Sequence, residues 1–140
     1  MSNLRLLLTV IAMAGIVAVP AASQSLSKRP VLLGTDDPDM DACGGVGAVT
    51  GLKPRGDNFL SVRQRPDIAG HEAYRLRSGH PVYLCDQTAD GKWYGIVFQP
   101  VDRQDDYGAC GVGTPLPRQP YTGPCLQGWV SARYIELVAG

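Results

Sequence analysis

The side chains able to do chemistry are few and poorly grouped for catalysis. The histidines are His71 and His80. Neither stands beside a Ser or Cys motif that would pair a nucleophile with its base. His71 falls in a loop and His80 at a strand start, so both read as ordinary exposed imidazoles. Glu72 and Glu136 are the only glutamates, and no acidic pair has a spacing that suggests glycoside hydrolysis. Asp37, Asp39 and Asp41 match the first ligand positions of a helix-flanked calcium loop. Ala42 stands where that loop needs its sharp-turn Gly, and Ala48 where it needs a bidentate Glu. The "GGVG" after Cys43 follows no strand and opens no helix, so it is no phosphate cradle. The residues point away from an enzyme and call for no cofactor.

Cys43, Cys85, Cys110 and Cys125 are the cysteines. They include no CxxC, whereas a zinc site needs closely spaced ligand pairs. Their even number fits two disulfides if the chain is exported, and the N-terminus predicts export. Arg5 is a short positive region, Leu6 to Val19 is apolar without a break, Pro20 stops it, and Ala21-Ala22-Ser23 offers small residues for cleavage. The apolar run is too short to span a bilayer comfortably. Residues 1–23 therefore read as a signal peptide cut after Ser23 or Ala22, leaving no stable membrane anchor. The expected compartment is the periplasm or the exterior. Three disulfide connectivities are open. Cys110–Cys125 is the favoured pair because it closes a local Pro/Gly-rich loop, which leaves Cys43–Cys85 to tie the first strand to the middle of the sheet.

Removing the signal peptide takes Arg5 with it and leaves twelve basic against thirteen acidic side chains. That balance carries neither the basic footprint of a nucleic-acid binder nor a polybasic membrane patch. The aromatic residues are the remaining candidates. Strand parity assigns Phe59, Tyr74, Tyr94 and Phe98 mostly to the core. Trp93, Tyr83, Tyr107, Tyr121, Trp129 and Tyr134 are left as partly exposed rings, which suit sugar faces and peptide grooves.

The elements that must position these rings are short strands. The 17 Gly and 11 Pro break up any long helix. Residues 24–42 are polar, acidic and Pro-bearing, and read as a flexible N-terminal arm. Strands are predicted over Val46–Leu52, Phe59–Arg63, around Tyr74–Leu76, and over Pro81–Asp86, Trp93–Gln99, Gly128–Ser131 and Tyr134–Val138. Asp90-Gly91 is a hairpin signal. In "KPRGDN", Gly56, Asp57 and Asn58 supply turn chemistry, which explains Arg55-Gly56-Asp57 without an adhesive role. The irregular stretch at about 100–127 is too long for a hairpin loop. Five to seven short strands without a helix predict an all-β fold, a small barrel or sandwich.

Four fragments in order give this pattern a family likeness. "FLSVRQRP" resembles the L-x-V-R-x-x-P signature of bacterial SH3 (SH3b, Src-homology-3-like) domains. "LRSGHPVYLCD" is similar to their next strand pair, "DGKWYGIVF" to their central hairpin, and "GWVSARYIEL" to their final strand, single helical turn and closing strand. "DACGGVGAVTGL" and the Cys-flanked "CGVGTPLPRQPYTGPC" resemble a group of small exported members. The likeness spans roughly Cys43 to Val138, and the insertion before Trp129 departs from ordinary members. It implies a small SH3-like β-barrel over 43–140, stapled by disulfides, that binds rather than catalyses. Implied ligands are peptidoglycan peptide or glycan, or an envelope protein. Ligand surfaces of such barrels use loop aromatics near the chain end, which implicates Trp129 and Tyr134, with Tyr107 and Tyr121 in the insertion and Trp93 beside them. Arg63 occupies the V-R position, where it is expected to hydrogen-bond loop carbonyls or to meet a ligand carboxylate. The alternative is an inhibitor or partner of an exported enzyme, with the Cys-closed 110–125 loop as a wedge.

Overall fold

The computed structural model describes residues 27–35, 37–100, 102 and 108–140. The expected signal peptide over 1–23 and Tyr107 lie outside them. The described chain is all-β. Its strands are β1 (Leu32–Leu33), β2 (Gly45–Val49), β3 (Leu60–Arg63), β4 (Glu72–Leu76), β5 (Pro81–Gln87), β6 (Trp93–Phe98), β7 (Gln119–Pro120), β8 (Leu126–Ser131) and β9 (Ile135–Ala139), with a 3-10 turn at Ala132–Tyr134. Seven of them form one antiparallel sheet in the order β4-β3-β8-β6-β5-β2-β9, and β1 pairs with β7 in a separate ribbon. Every strand expected from the alternation is present, with bounds within about three residues of those expected.

All seven sheet strands send side chains to one core. Val49, Leu60, Val62, Leu76, Val82, Ile96, Phe98 and Val130 form its buried centre, and Ile135 packs against it. A sheet whose edge strands both reach the same cluster must curl around it. Tight backbone contacts permit the curl. A Cβ at Gly128 would lie 2.4 Å from Val62 Cγ1, and one at Gly47 would lie 2.6 Å from Ile135 Cγ2. A side chain at either place would force its neighbour to shift.

The strand parity of β3 corrects one expectation. Leu60 and Val62 point inward, while Phe59 precedes the strand and is half-buried. Tyr74 is also outside the core and exposed, although its ring meets Phe98 edge-on at 5.6 Å. His80 is another correction. It is buried rather than exposed, with Nε2 3.0 Å from the Gln99 carbonyl oxygen and its ring edge-on to Phe98.

A second core covers the opposite face of the central strands. Val31, Leu33, Ala42, Cys43, Val97, Cys110, Val112, Tyr121 and Trp129 are buried together there. Two stretches read from sequence as peripheral supply most of it. From Arg29 onward the described part of the N-terminal arm is hydrogen-bonded to the rest of the fold. Arg29 N–H donates to Gln64 O at 2.9 Å, and Val31 N–H reaches Gln127 Oε1 at 3.1 Å. Leu32 N–H donates to the buried Asp86 carboxylate at 3.2 Å. The reason is apolar: Val31 and Leu33 remove their side chains from water against Trp129 and its neighbours.

The insertion packs on the same face. Both favoured disulfides form, Cys43–Cys85 and Cys110–Cys125. The first ties the start of β2 to β5 at a register shift between Leu84 and Asp86. The second closes a loop around Tyr121. The Tyr121 hydroxyl donates to Cys110 O and accepts from Cys125 N–H, each at 3.0 Å. Burial raises the Tyr121 pKa, opposed by that N–H bond, so the phenol stays a neutral donor.

Candidate functional site

The aromatic candidates separate into two environments. Trp129 and Tyr121 belong to the second core, at 0 % and 4 % exposure. Trp129 Nε1–H donates to Arg29 O at 2.8 Å, and the Arg29 guanidinium lies 4.6 Å from its ring centroid. Neither ring can meet a ligand while that core is intact, so their assignment as binding residues is corrected. The physical reason is the arm and insertion, which cover a face that a bare sheet would leave open. Tyr107 lies outside the described residues.

Trp93, Tyr134 and Arg63 come together. They line one open groove of about 510 Å³ with Lys53, Asp57, Phe59 and Ile68, among others. Each is held there by local structure. Trp93 opens β6 after the Asp90-Gly91 turn, where Gly91 takes φ +70°. The Thr88 hydroxyl donates to Asp90 Oδ1 at 2.6 Å and accepts from Trp93 N–H at 3.1 Å, while Lys92 N–H reaches Asp90 Oδ1 at 3.0 Å. Tyr134 ends the 3-10 turn. That turn is pinned from both sides, by Ala132 N–H on Lys92 O and Thr50 N–H on Tyr134 O, each at 2.9 Å.

Arg63 lies on the outward side of β3. Its Nη1 donates to Gly70 O at 2.8 Å, the loop-carbonyl bond expected of it. The Gln64–Gly70 loop behind it is tightly built. Gly70 N–H donates to Asp67 O, Ala69 N–H to Asp67 Oδ1, and Arg65 pairs with Asp67 at 2.9 Å. The loop holds Ile68 on the groove rim at 80 % exposure.

Charge frames the rings. The Arg75 guanidinium sits 4.1 Å from the Phe59 ring centroid, and that of Arg133 5.8 Å from Tyr134. Glu72 accepts from the Ser61 hydroxyl and from Arg75 Nε. These bonds, Ser61 first, hold its carboxyl below the ordinary value. The groove can therefore stack a planar or apolar group against Phe59, Trp93 and Tyr134, and offer cationic donors beside it.

Sequence reasoning did not include Phe59, Lys53 or Ile68 in the site. Ile68 had a readable signal, as the one large aliphatic residue in the polar stretch "RQRPDIAGH". Phe59 had none, because its exposure depends on where β3 begins. Among the described residues, no group of three or more His, Cys, Asp or Glu could hold a metal ion. No helix among them is long and apolar enough to cross a membrane. Compared with protein-family models, with curated proteins and with solved structures, the chain matches none of them.

Proposed function

We propose that this chain is a non-catalytic, exported binding module with an SH3-like curled sheet, and that it recognises cell-wall peptide or glycan or an envelope protein. The observation that carries the reading is the single groove shared by Phe59, Trp93, Tyr134 and Arg63. Rings with a polar edge over a cationic rim suit a bound peptide or sugar and lack the paired acid, base and nucleophile of a catalytic centre. Two disulfides support an oxidising compartment, periplasmic or secreted.

The alternative reading, an enzyme inhibitor using loop 110–125 as a wedge, has less support. Val112 and Tyr121 are buried, Ala42 N–H bonds Thr114 O, and Gln119–Pro120 pairs with β1. Deleting 111–124 would therefore open the second core rather than trim a free loop. The test is retention on purified peptidoglycan, with a known wall binder alongside. Wild type should be retained and Trp93→Ala/Tyr134→Ala should wash through. Equal retention of both proteins would remove the groove from the account, and no retention of wild type would remove the wall ligand.

A further inference from the structure

The large sheet has two edge strands, β4 and β9, and they differ. β4 is guarded by charge: Glu72 and Arg75 pair on it at 2.6 Å, and exposed Arg77 follows it. Charged side chains are a usual guard against edge-to-edge pairing. β9 carries a single charge, Glu136. The next two residues, Leu137 and Val138, stand 62 % and 66 % exposed. From this contrast we infer that β9 pairs antiparallel with β9 of a second copy of this chain, about a two-fold axis at Leu137.

The backbone sets that axis. Val49 O accepts from Gly79 N–H at 2.8 Å, and Val49 N–H donates to His80 O at 3.1 Å, whereas Thr50 N–H turns the other way, to Tyr134 O at 2.9 Å. Both backbone groups of Val49 therefore face away from β9. In the β2–β9 ladder Val49 lies opposite Ile135, and Gly47 lies opposite Leu137. Backbone direction alternates along an antiparallel pair, so Leu137 N–H and O point out of the open edge. A two-fold axis there sets Leu137 against itself and lets the two copies exchange both bonds. It also sets Glu136 opposite Val138. Moving the axis back to Glu136 would place two carboxylates face to face, which is destabilising.

Side chains and charge fit the same partner. A Cβ at Gly47 would meet Ile135 and Leu84, and one at Gly45 would lie 3.0 Å from Leu137 Cδ1, so these three side chains share a face. Ile135 and Leu84 pack on the first core, and Leu137 carries their row out to the open edge. On the other face Ala139 lines a cleft with Val46 and Tyr83, and Tyr83 packs against the second core. Both cores thus run out at β9, and an added strand continues both. The same cleft holds Asp39 and Asp41 and is lined by no basic side chain. In an antiparallel copy, Arg133, exposed and just ahead of its own β9, arrives at the Ala139 end of the first, beside those carboxylates. The symmetry repeats this match on the far side of the axis, as an isologous contact requires. An unrelated strand carries no such matched set.

The test is sedimentation equilibrium of the oxidised protein over a concentration series reaching about 1 mM, the weak end for so short a contact. Wild type should rise to the mass of two copies and stop there, because a two-fold contact closes on itself. Leu137→Lys and Leu137→Glu each place like charges at the axis, and each should weaken association about tenfold or more. Mixed in equal amounts the two variants should regain it, which misfolded chains could not do. Arg133→Glu should weaken association about fivefold, as two exposed ion pairs are lost. Wild type of single-copy mass throughout, growth beyond two copies, or Leu137→Lys associating as wild type does would overturn the inference. So would Leu137 variants that stay apart when mixed.

Discussion

Replacing Tyr121 with Phe removes one oxygen from the second core, and the structure sets what that should do. The hydroxyl bridges Cys110 O and Cys125 N–H at 3.0 Å on each side, inside the loop closed by the disulfide. Phe fills nearly the same space, so no cavity arises. What remains is a carbonyl and an N–H that have lost their partner. A buried polar group without a hydrogen bond costs about 1–3 kcal/mol. Cys110 is buried while Cys125 is only half-buried, so water can recover part of the loss at the second site. Together the loss comes to about 2–3 kcal/mol, or roughly 10 °C of melting temperature for a domain of this size. Denaturant unfolding of the oxidised protein measures it, read as a shift in midpoint at constant slope. A loss below about 0.5 kcal/mol, the range of an ordinary surface substitution, would mean that loop 110–125 is not packed as described.

Other consequences follow from the same contacts. In the chain-entropy account, removing Cys43–Cys85, with separation 42, should destabilise by about 4 kcal/mol, and removing Cys110–Cys125, with separation 15, by about 3 kcal/mol; unfolding of the paired Ala variants checks that order. Gly95→Ala would place a Cβ 2.7 Å from Asp86 Cβ and 3.1 Å from Val31 Cγ1. It should cost about 1–3 kcal/mol and speed proteolysis at Lys28 and Arg29, because one of the two crowded neighbours, Val31, belongs to the arm. Burial, partly offset by the Gln99 bond, lowers the His80 pKa below 6.5. The unfolded chain then takes up that proton first as pH falls. Stability from this residue is level above about pH 7 and declines below 6.5; the lowered Glu72 acts only beneath 4.5. His80→Asn should flatten the slope between pH 7 and 5.

The fold was largely legible because its signals are local. Alternation in "LSVR" and "PVYLCD" marks strands, and Asp90-Gly91 marks the turn between β5 and β6. The disulfide pairing followed from the Pro/Gly-rich loop between Cys110 and Cys125. The second core was not read, although "WYGIVF" carried its signature. Trp93 and Val97 lie on one parity, Tyr94, Ile96 and Phe98 on the other, and a strand apolar on both faces is covered on both. Its cover came from Val31 to Leu33 and from Tyr121, short apolar pieces in polar surroundings, joined by a ribbon with only two residues per strand. Such pairing has no period to detect. The site was half legible for the same reason. Trp93, Tyr134 and Arg63 flank strands and turns that sequence marks, whereas Trp129 and Tyr121 are hidden by partners distant in the chain.

If the proposed function holds, the groove, and not the covered face, meets the ligand. Trp93 lines the groove and packs against the edge of the second core, whereas Trp129 is buried inside that core with Nε1–H on Arg29 O. Following both indole N–H signals while purified, solubilised wall fragments are added is the most direct measurement. The Trp93 signal should move with concentration while the Trp129 signal stays in place. Movement of Trp129 with Trp93 unchanged, or stillness of both while a known wall binder responds, would contradict it.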